Sequence, residues 1–83
     1  MIMNTVAIKT LLEQNLPDAE VHVHGEDGVH FEAVVISDAF EGKSLVQQHR
    51  LVYQALQGKM ENQEIHALAL KTYTPENWGK TQS

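Results

Sequence analysis

Apolar residues near the start of the chain recur at the spacing of an α-helix. Residues 5–16 place them three and four positions apart, while Lys9, Glu13 and Gln14 fall outside this stripe. Asn4 precedes this run as a helix cap, and Pro17 ends it. The pattern therefore predicts a first helix. Its inward stripe consists of Ile8, Leu11, Leu12 and Leu16.

The next two segments have the pattern of β-strands. Residues 19–24 alternate between apolar and polar side chains, which is the period of a half-buried strand. A Gly-Glu-Asp-Gly turn at residues 25–28 leads into a second strand over residues 29–37. Within that strand the Ala-Val-Val-Ile run at residues 33–36 has no polar side, which is typical of a strand inside a sheet. The sequence therefore predicts a hairpin whose second strand is central.

A second helix is predicted to begin after Ser44. Gln47 stands three residues later, the spacing of a capping box, and Gly58 ends the helix. His49 falls on the apolar stripe of this helix, so we expect it to pack there with one ring nitrogen hydrogen-bonded to the backbone. The stripe consists of Leu45, Val52 and Leu56.

The last third of the chain predicts one more strand and a short helix. Residues 64–72 form the strand, and the strand, helix and strand together make a crossover that places strands two and three parallel. Thr74 and Pro75 have the order of an N-cap and a first helical residue, and we expect Trp78 on this helix to cover the edge of the core. The fold class is α+β, with residues 1–83 forming a single domain.

Size and composition narrow the function classes. A chain of 83 residues has room for two layers of secondary structure. It has no cysteine, so a metal site has to use His, Asp or Glu side chains. No stretch approaches the roughly 20 apolar residues of a membrane span, and no signal peptide is recognisable, so we expect a soluble, unprocessed cytoplasmic protein. No nucleophile motif, phosphate-binding loop or pair of carboxylates predicts an enzyme.

The five histidines are the residues that suggest chemistry, because imidazole titrates near neutrality and binds transition metals in its neutral form. His22 and His24 share one face of the first strand. Two imidazoles are only half of a zinc site, however, and a solvated strand face is the simpler explanation. From spacing alone, His66 on the third strand is better explained as a partly buried packing residue than as a ligand.

Several short motifs occur in a fixed order in the second half of the chain. They are a Phe-x-Gly-x-Ser turn starting at Phe40, a His-Arg pair at residues 49–50, an Ile-His-Ala segment around His66 and a Thr-Pro-x-x-Trp ending at Trp78. This ordered set resembles the BolA family, and the short, His-rich, Cys-free chain resembles its small bacterial IbaG/YrbA branch. The resemblance implies an α-β-β-α-α-β-α fold with a three-stranded mixed sheet, similar to the type II KH domain.

The resemblance also implies a metal site. In BolA-like proteins the His of the Ile-His-Ala strand is a ligand of a [2Fe-2S] cluster shared with a monothiol glutaredoxin and glutathione, and His66 matches that position. The second ligand is a Cys or His between the first two strands, which here is His30 or His24. His30 is preferred because it directly precedes the apolar strand. No cofactor is expected in the isolated chain.

The strand register decides how these histidines are arranged. If residues 26–27 form a two-residue turn, His30 pairs with Val23 and faces away from His24. A five-residue loop would instead pair His30 with His24 and cluster the histidines on one face.

Nucleic-acid binding is the alternative function. The KH-like fold and the link of family members to transcription imply a DNA-binding regulator of stress response and morphology, using Lys43, Arg50 and Lys71. The net charge of −5 opposes attraction to polyanions. We therefore expect a non-catalytic adaptor in iron-sulfur cluster trafficking and iron homeostasis, monomeric or weakly dimeric. Trp78 on the last helix is a further candidate residue for contact with a protein partner.

Overall fold

The computed structural model describes residues 4–25, 27, 30–59 and 67–82. Its elements are α1 (Thr5–Asn15), β1 (Glu20–His24), β2 (His30–Ile36), a 3-10 turn (Asp38–Phe40), α2 (Leu45–Ala55), β3 (Ala67–Tyr73) and α3 (Pro75–Gln82). This is the predicted α+β order, with the 3-10 turn in place of the first of the two middle helices. The predicted start of the third strand and His66 lie outside the described residues.

The helix caps are those that the sequence predicts. The Asn4 side chain accepts a hydrogen bond from the Ala7 N–H at 2.8 Å, at the start of α1. The capping box of α2 is complete, because the Ser44 hydroxyl accepts from the Gln47 N–H and the Gln47 side chain accepts from the Ser44 N–H. Local hydrogen bonds therefore set the helix starts.

The sheet has three strands in the order β1-β2-β3. β1 and β2 are antiparallel, whereas β2 and β3 are parallel. The central position of β2 and the mixed sheet are therefore confirmed. Beyond α2 the chain turns through Gln57 and Gly58, whose positive φ angles of 54° and 81° end the helix where the sequence predicts.

The main core lies between one face of the sheet and helices α1 and α2. Val52 and Leu56 of the predicted stripe are fully buried, but the prediction for Leu45 is wrong because this residue is 65% exposed. Leu45 is the first residue of α2 and lines a surface groove, while the buried Gln48 faces inward one turn later. The largest fully buried side chains are Phe40, Ile8, Leu12, Leu56, Val35 and Val52.

Helix α3 packs against the other face of the sheet. The Trp78 ring is stacked on the His22 ring with centroids 6.0 Å apart, and its centroid is 5.2 Å from that of Tyr73. Ile36, the partner of Tyr73 in the register, is buried but does not belong to the main core cluster. The prediction that Trp78 covers the edge of the core is therefore wrong, because the helix lies on the face opposite to α1 and α2.

Candidate functional site

Histidines from two strands share the sheet face opposite to the main core. Side chains alternate along a strand, and the buried Val21 and Phe31 mark the face that packs on the helices. His24 pairs with Glu32, so the even-numbered residues of β1 and β2 point to the same side. This face, which we call the histidine face, carries Glu20, His22, His24, His30 and Glu32.

The observed register differs from both predicted ones. His24 lies opposite Glu32 and Val23 lies opposite Ala33, so the ladder between the two strands ends before His30. The pairing of His30 with Val23 and the pairing of His30 with His24 are both wrong. The same-face arrangement that the longer loop implied is nevertheless present, because the shift of two residues preserves the side to which a side chain points.

A groove lies at the hairpin end of the histidine face and contains both candidate second ligands. It has a volume of about 510 Å³ and is open to solvent. We call it the hairpin groove. It is lined by His24, Gly25, Asp27, His30, Phe31, Glu32 and Ala69.

His30 is held at this groove by Asp27. Oδ1 of Asp27 accepts a hydrogen bond from the His30 backbone N–H at 2.8 Å, and Oδ2 lies 2.7 Å from Nδ1 of the His30 ring. The His30 side chain is 75% exposed, and its Nε2 makes no hydrogen bond within the described residues. One ring nitrogen is therefore engaged, while the other is available to a ligand from outside.

His24 is exposed and lies opposite Glu32. Within the part of the chain that the structure describes, no hydrogen bond fixes its ring. His22, in contrast, is fixed twice, because Nε2 of its ring lies 2.5 Å from Oε2 of Glu20 and the ring is stacked on Trp78. The three histidines of this face thus differ in how much freedom their rings retain.

Two further observations concern metal binding. Over residues 4–25, 27, 30–59 and 67–82, no group of three or more His, Asp or Glu side chains is arranged to hold a metal ion. Ala67, the residue that follows His66 in the chain, pairs with His30 at the start of β3.

A second groove runs between the start of α2 and strand β3. Its volume is about 350 Å³, and we call it the edge groove. It is lined by Leu45, His49, Leu70, Lys71, Thr72 and Tyr73.

Two of the other candidate residues, His49 and Lys71, line the edge groove. His49 is half-buried there, and the predicted hydrogen bond from its ring to the backbone is not found among the described residues. Lys71 is exposed at the same groove. Lys43 and Arg50 are also exposed, but they are not among the residues that line either groove.

Sequence reasoning missed Asp27 as a residue of the site. The sequence pattern places Asp27 only in the turn at residues 25–28, whereas the structure pairs it with His30. The available signal was the spacing Asp-x-x-His, because Asp side chains in turns commonly accept a hydrogen bond from a backbone N–H a few residues later. The direct contact with the ring is visible only in three dimensions.

Comparisons with known proteins agree on one family. The family profile described as BolA-like protein matches residues 7–77. Acid stress protein IbaG of Escherichia coli K12 is 36% identical over 78 residues, which cover 94% of this chain and 92% of that protein. None of the helices in the described part of the chain has the length and hydrophobicity needed to cross a bilayer.

Solved structures give the same result. A BolA homologue from Coxiella burnetii superposes with a TM-score of 0.82 at 46% identity, covering 94% of this chain and 99% of that one. Mouse BolA1 superposes with a TM-score of 0.80 at 34% identity, covering 95% of this chain and 71% of that one.

Proposed function

Because the chain belongs to the BolA-like family, we propose that it is a non-catalytic cytoplasmic adaptor that docks on a monothiol glutaredoxin and shares a [2Fe-2S] cluster with it. His66 and a histidine of the hairpin groove are the ligands from this chain. The cysteine of the glutaredoxin and a glutathione thiolate complete the coordination of the second iron. The adaptor serves cluster trafficking and iron homeostasis.

The single observation that carries this proposal is the arrangement at the hairpin groove. The His30 side chain is 75% exposed there, and Nε2 of its ring makes no hydrogen bond within the described residues. Its partner in the parallel register is Ala67, the residue that follows His66 in the sequence. The His30 ring is therefore open to a partner protein at the hairpin groove. Exposure is required for this role, because an iron atom held by another protein has to approach the rings directly.

The residues present fit such a group. Neutral imidazole is an established ligand of [2Fe-2S] clusters, where two histidines on one iron replace thiolates, remove negative charge and raise the reduction potential. The carboxylate of Asp27 at Nδ1 of His30 provides the outer contact that metal-binding histidines commonly have. When bound, the cluster would supply transferable iron and sulfide and one-electron redox chemistry.

The test is anaerobic co-purification with a monothiol glutaredoxin and glutathione, followed by visible absorption spectroscopy. The wild-type pair is expected to show the absorption of a [2Fe-2S] cluster, and His66→Ala is expected to bleach or shift it. His49→Ala is the matched control, because His49 lies in the edge groove and should leave the spectrum unchanged. Identical spectra for His66→Ala and wild type would contradict the role of His66 as a ligand.

Titration with DNA separates this function from the alternative. A regulator that uses Lys43, Arg50 and Lys71 would bind DNA with an affinity that falls steeply as salt increases, because cations on the protein displace counterions from phosphates. Tight DNA binding at physiological salt, together with no response to a glutaredoxin, would favour the regulator. The net charge of −5 supports the adaptor, because it opposes attraction to polyanions.

A further inference from the structure

Asp27 determines which nitrogen of His30 carries the hydrogen. An ionised carboxylate can only accept hydrogen bonds, so the contact of 2.7 Å between Oδ2 and Nδ1 requires a hydrogen on Nδ1. In the neutral ring, Nε2 then keeps its lone pair. The second contact, from the His30 backbone N–H to Oδ1 at 2.8 Å, keeps the carboxylate in place beside the ring.

His22 has the opposite arrangement. Its acid partner Glu20 lies 2.5 Å from Nε2, so the hydrogen of the neutral ring is on Nε2. The stacking on Trp78 further restricts this ring. His24 has neither kind of support within the described residues. Among the three histidines, His30 is the one whose acid partner leaves Nε2 as the ligand atom.

We propose that Asp27 is a positioning residue that makes His30, rather than His24, the second histidine ligand of the shared cluster, and that the ligand atom is Nε2. The ligand assignment rests on the proposed function, whereas the effect of Asp27 on the ring can be measured in the isolated protein. A carboxylate at the far nitrogen orients the imidazole and fixes its tautomer, which favours its binding to a metal.

The surrounding loop supports this geometry. The backbone at Gly25 comes so close to β2 that an added Cβ would lie 2.3 Å from Cδ1 of Phe31 and 3.3 Å from the carbonyl oxygen of His30. The Asp27 and His30 side chains are 55% and 75% exposed, so their attraction alone is weakened by solvent. The packing around Gly25 and the backbone hydrogen bond from His30 therefore contribute to keeping the pair together.

The Asp27→Asn variant separates the two contacts. Its amide oxygen can still accept from the His30 backbone N–H, but the amide NH2 group cannot accept from Nδ1–H. Two-bond ¹H–¹⁵N correlation spectra of the isolated protein, at a pH where the rings are neutral, report the tautomer of each histidine. We expect His30 to be the Nδ1–H form in wild type and to shift toward Nε2–H in Asp27→Asn. Glu20→Gln is the matched control, which should change His22 and leave His30 as in wild type.

The second measurement uses the complex with glutaredoxin. Asp27→Asn should shorten the lifetime of the bound cluster by about 10- to 100-fold, the usual effect of removing an outer-shell partner of a metal ligand. Glu20→Gln should leave the lifetime unchanged. His30→Ala should lose the cluster, whereas His24→Ala should retain it.

Three results would overturn the inference. The first is an Nε2–H tautomer of His30 in the wild-type protein. The second is an Asp27→Asn variant in which the tautomer of His30 shifts but the cluster lifetime does not change. The third is loss of the cluster in His24→Ala but not in His30→Ala. A fourth result distinguishes the two proposals. If wild type forms no cluster with the glutaredoxin but His30 has the Nδ1–H form, the proposed function and the ligand assignment both fail, while the control of the tautomer by Asp27 stands.

Discussion

The hydroxyl of Thr72 donates a hydrogen bond to Oε1 of Gln48 at 2.7 Å, and both side chains are buried. The amide nitrogen of Gln48 donates in turn to the carbonyl oxygen of Lys43 at 2.9 Å. These hydrogen bonds thus join strand β3, helix α2 and the turn before that helix. These hydrogen bonds lie beside the edge groove, because Thr72 is one of the residues that line it.

Thr72→Val is expected to lower the free energy of unfolding by about 1–3 kcal/mol. The substitution keeps the shape of the side chain but leaves Oε1 of Gln48 buried without a donor, which costs the desolvation of that oxygen. Urea denaturation followed by circular dichroism measures the change, with an unchanged slope showing that the denatured state is unaffected.

Thr81→Val provides the matched control for that measurement. Thr81 also donates through its hydroxyl, to the carbonyl oxygen of Trp78 at 2.7 Å, but it is exposed. Water can replace the lost partner, so the expected change is within about 0.5 kcal/mol. Equal losses of stability for the two variants would show that burial of the Thr72 hydrogen bond has no special effect.

Most of the fold follows from local sequence signals. The sequence predicts the first helix, the central strand and the capping box at Ser44. Each of these signals, the spacing of apolar residues, an apolar run or a pair of cap residues, lies within a few neighbouring positions of the sequence. The error at Leu45 has a physical cause: the stripe gives the direction in which a side chain points but not whether another element covers it. Gln48 was missed because a buried amide depends on a partner 24 positions away in the sequence.

The site was less predictable than the fold. The sequence identified His30 and His24 as candidates, but it could not fix the register, because turns of different length fit the same hairpin residues and each length pairs different residues across the two strands. The prediction for the position of Trp78 was wrong for a related reason. The spacing of apolar residues predicts a helix and its inward side, yet it does not indicate which face of a sheet that helix covers.

Gly25→Ala is expected to destabilise the protein by about 1–3 kcal/mol, the usual cost of overfilling a packed site. The added Cβ would lie 2.3 Å from Cδ1 of Phe31, a ring that is 4% exposed and belongs to the core cluster. Relief requires movement of the ring or of the hairpin loop. The midpoint of thermal unfolding should fall by several degrees, since 1 kcal/mol corresponds to about 4–8 °C for a domain of this size.

Gly79→Ala is the counterpart that separates packing from the loss of a glycine. Gly79 lies in helix α3, and an added Cβ meets nothing within 4 Å. Alanine is the better helix former, so this variant should be more stable by up to about 1 kcal/mol. If Gly25→Ala were as stable as Gly79→Ala, the loop could not approach Phe31 as closely in solution as it does in the structure.

Trp78→Leu is expected to release helix α3 from the histidine face. Leucine preserves an apolar side chain and helix propensity, but it removes the ring contacts with His22 and Tyr73, each of which contributes about 0.5–1.5 kcal/mol beyond buried area. We therefore expect a loss of about 1–3 kcal/mol. In proton NMR spectra, the ring protons of His22 should lose the shift caused by the indole and move toward their values in an unstructured peptide.

Two internal comparisons make this last experiment decisive. His24 lies on the same face but has no ring contact within the described residues, so its ring protons should keep their shifts in Trp78→Leu. Tyr53→Leu removes an aromatic ring that is 39% exposed on α2, and it should change neither the shifts of His22 nor the stability by more than about 0.5 kcal/mol. Unchanged His22 shifts in Trp78→Leu would mean that α3 does not cover this face, and that His22 is then as open to solvent as His24.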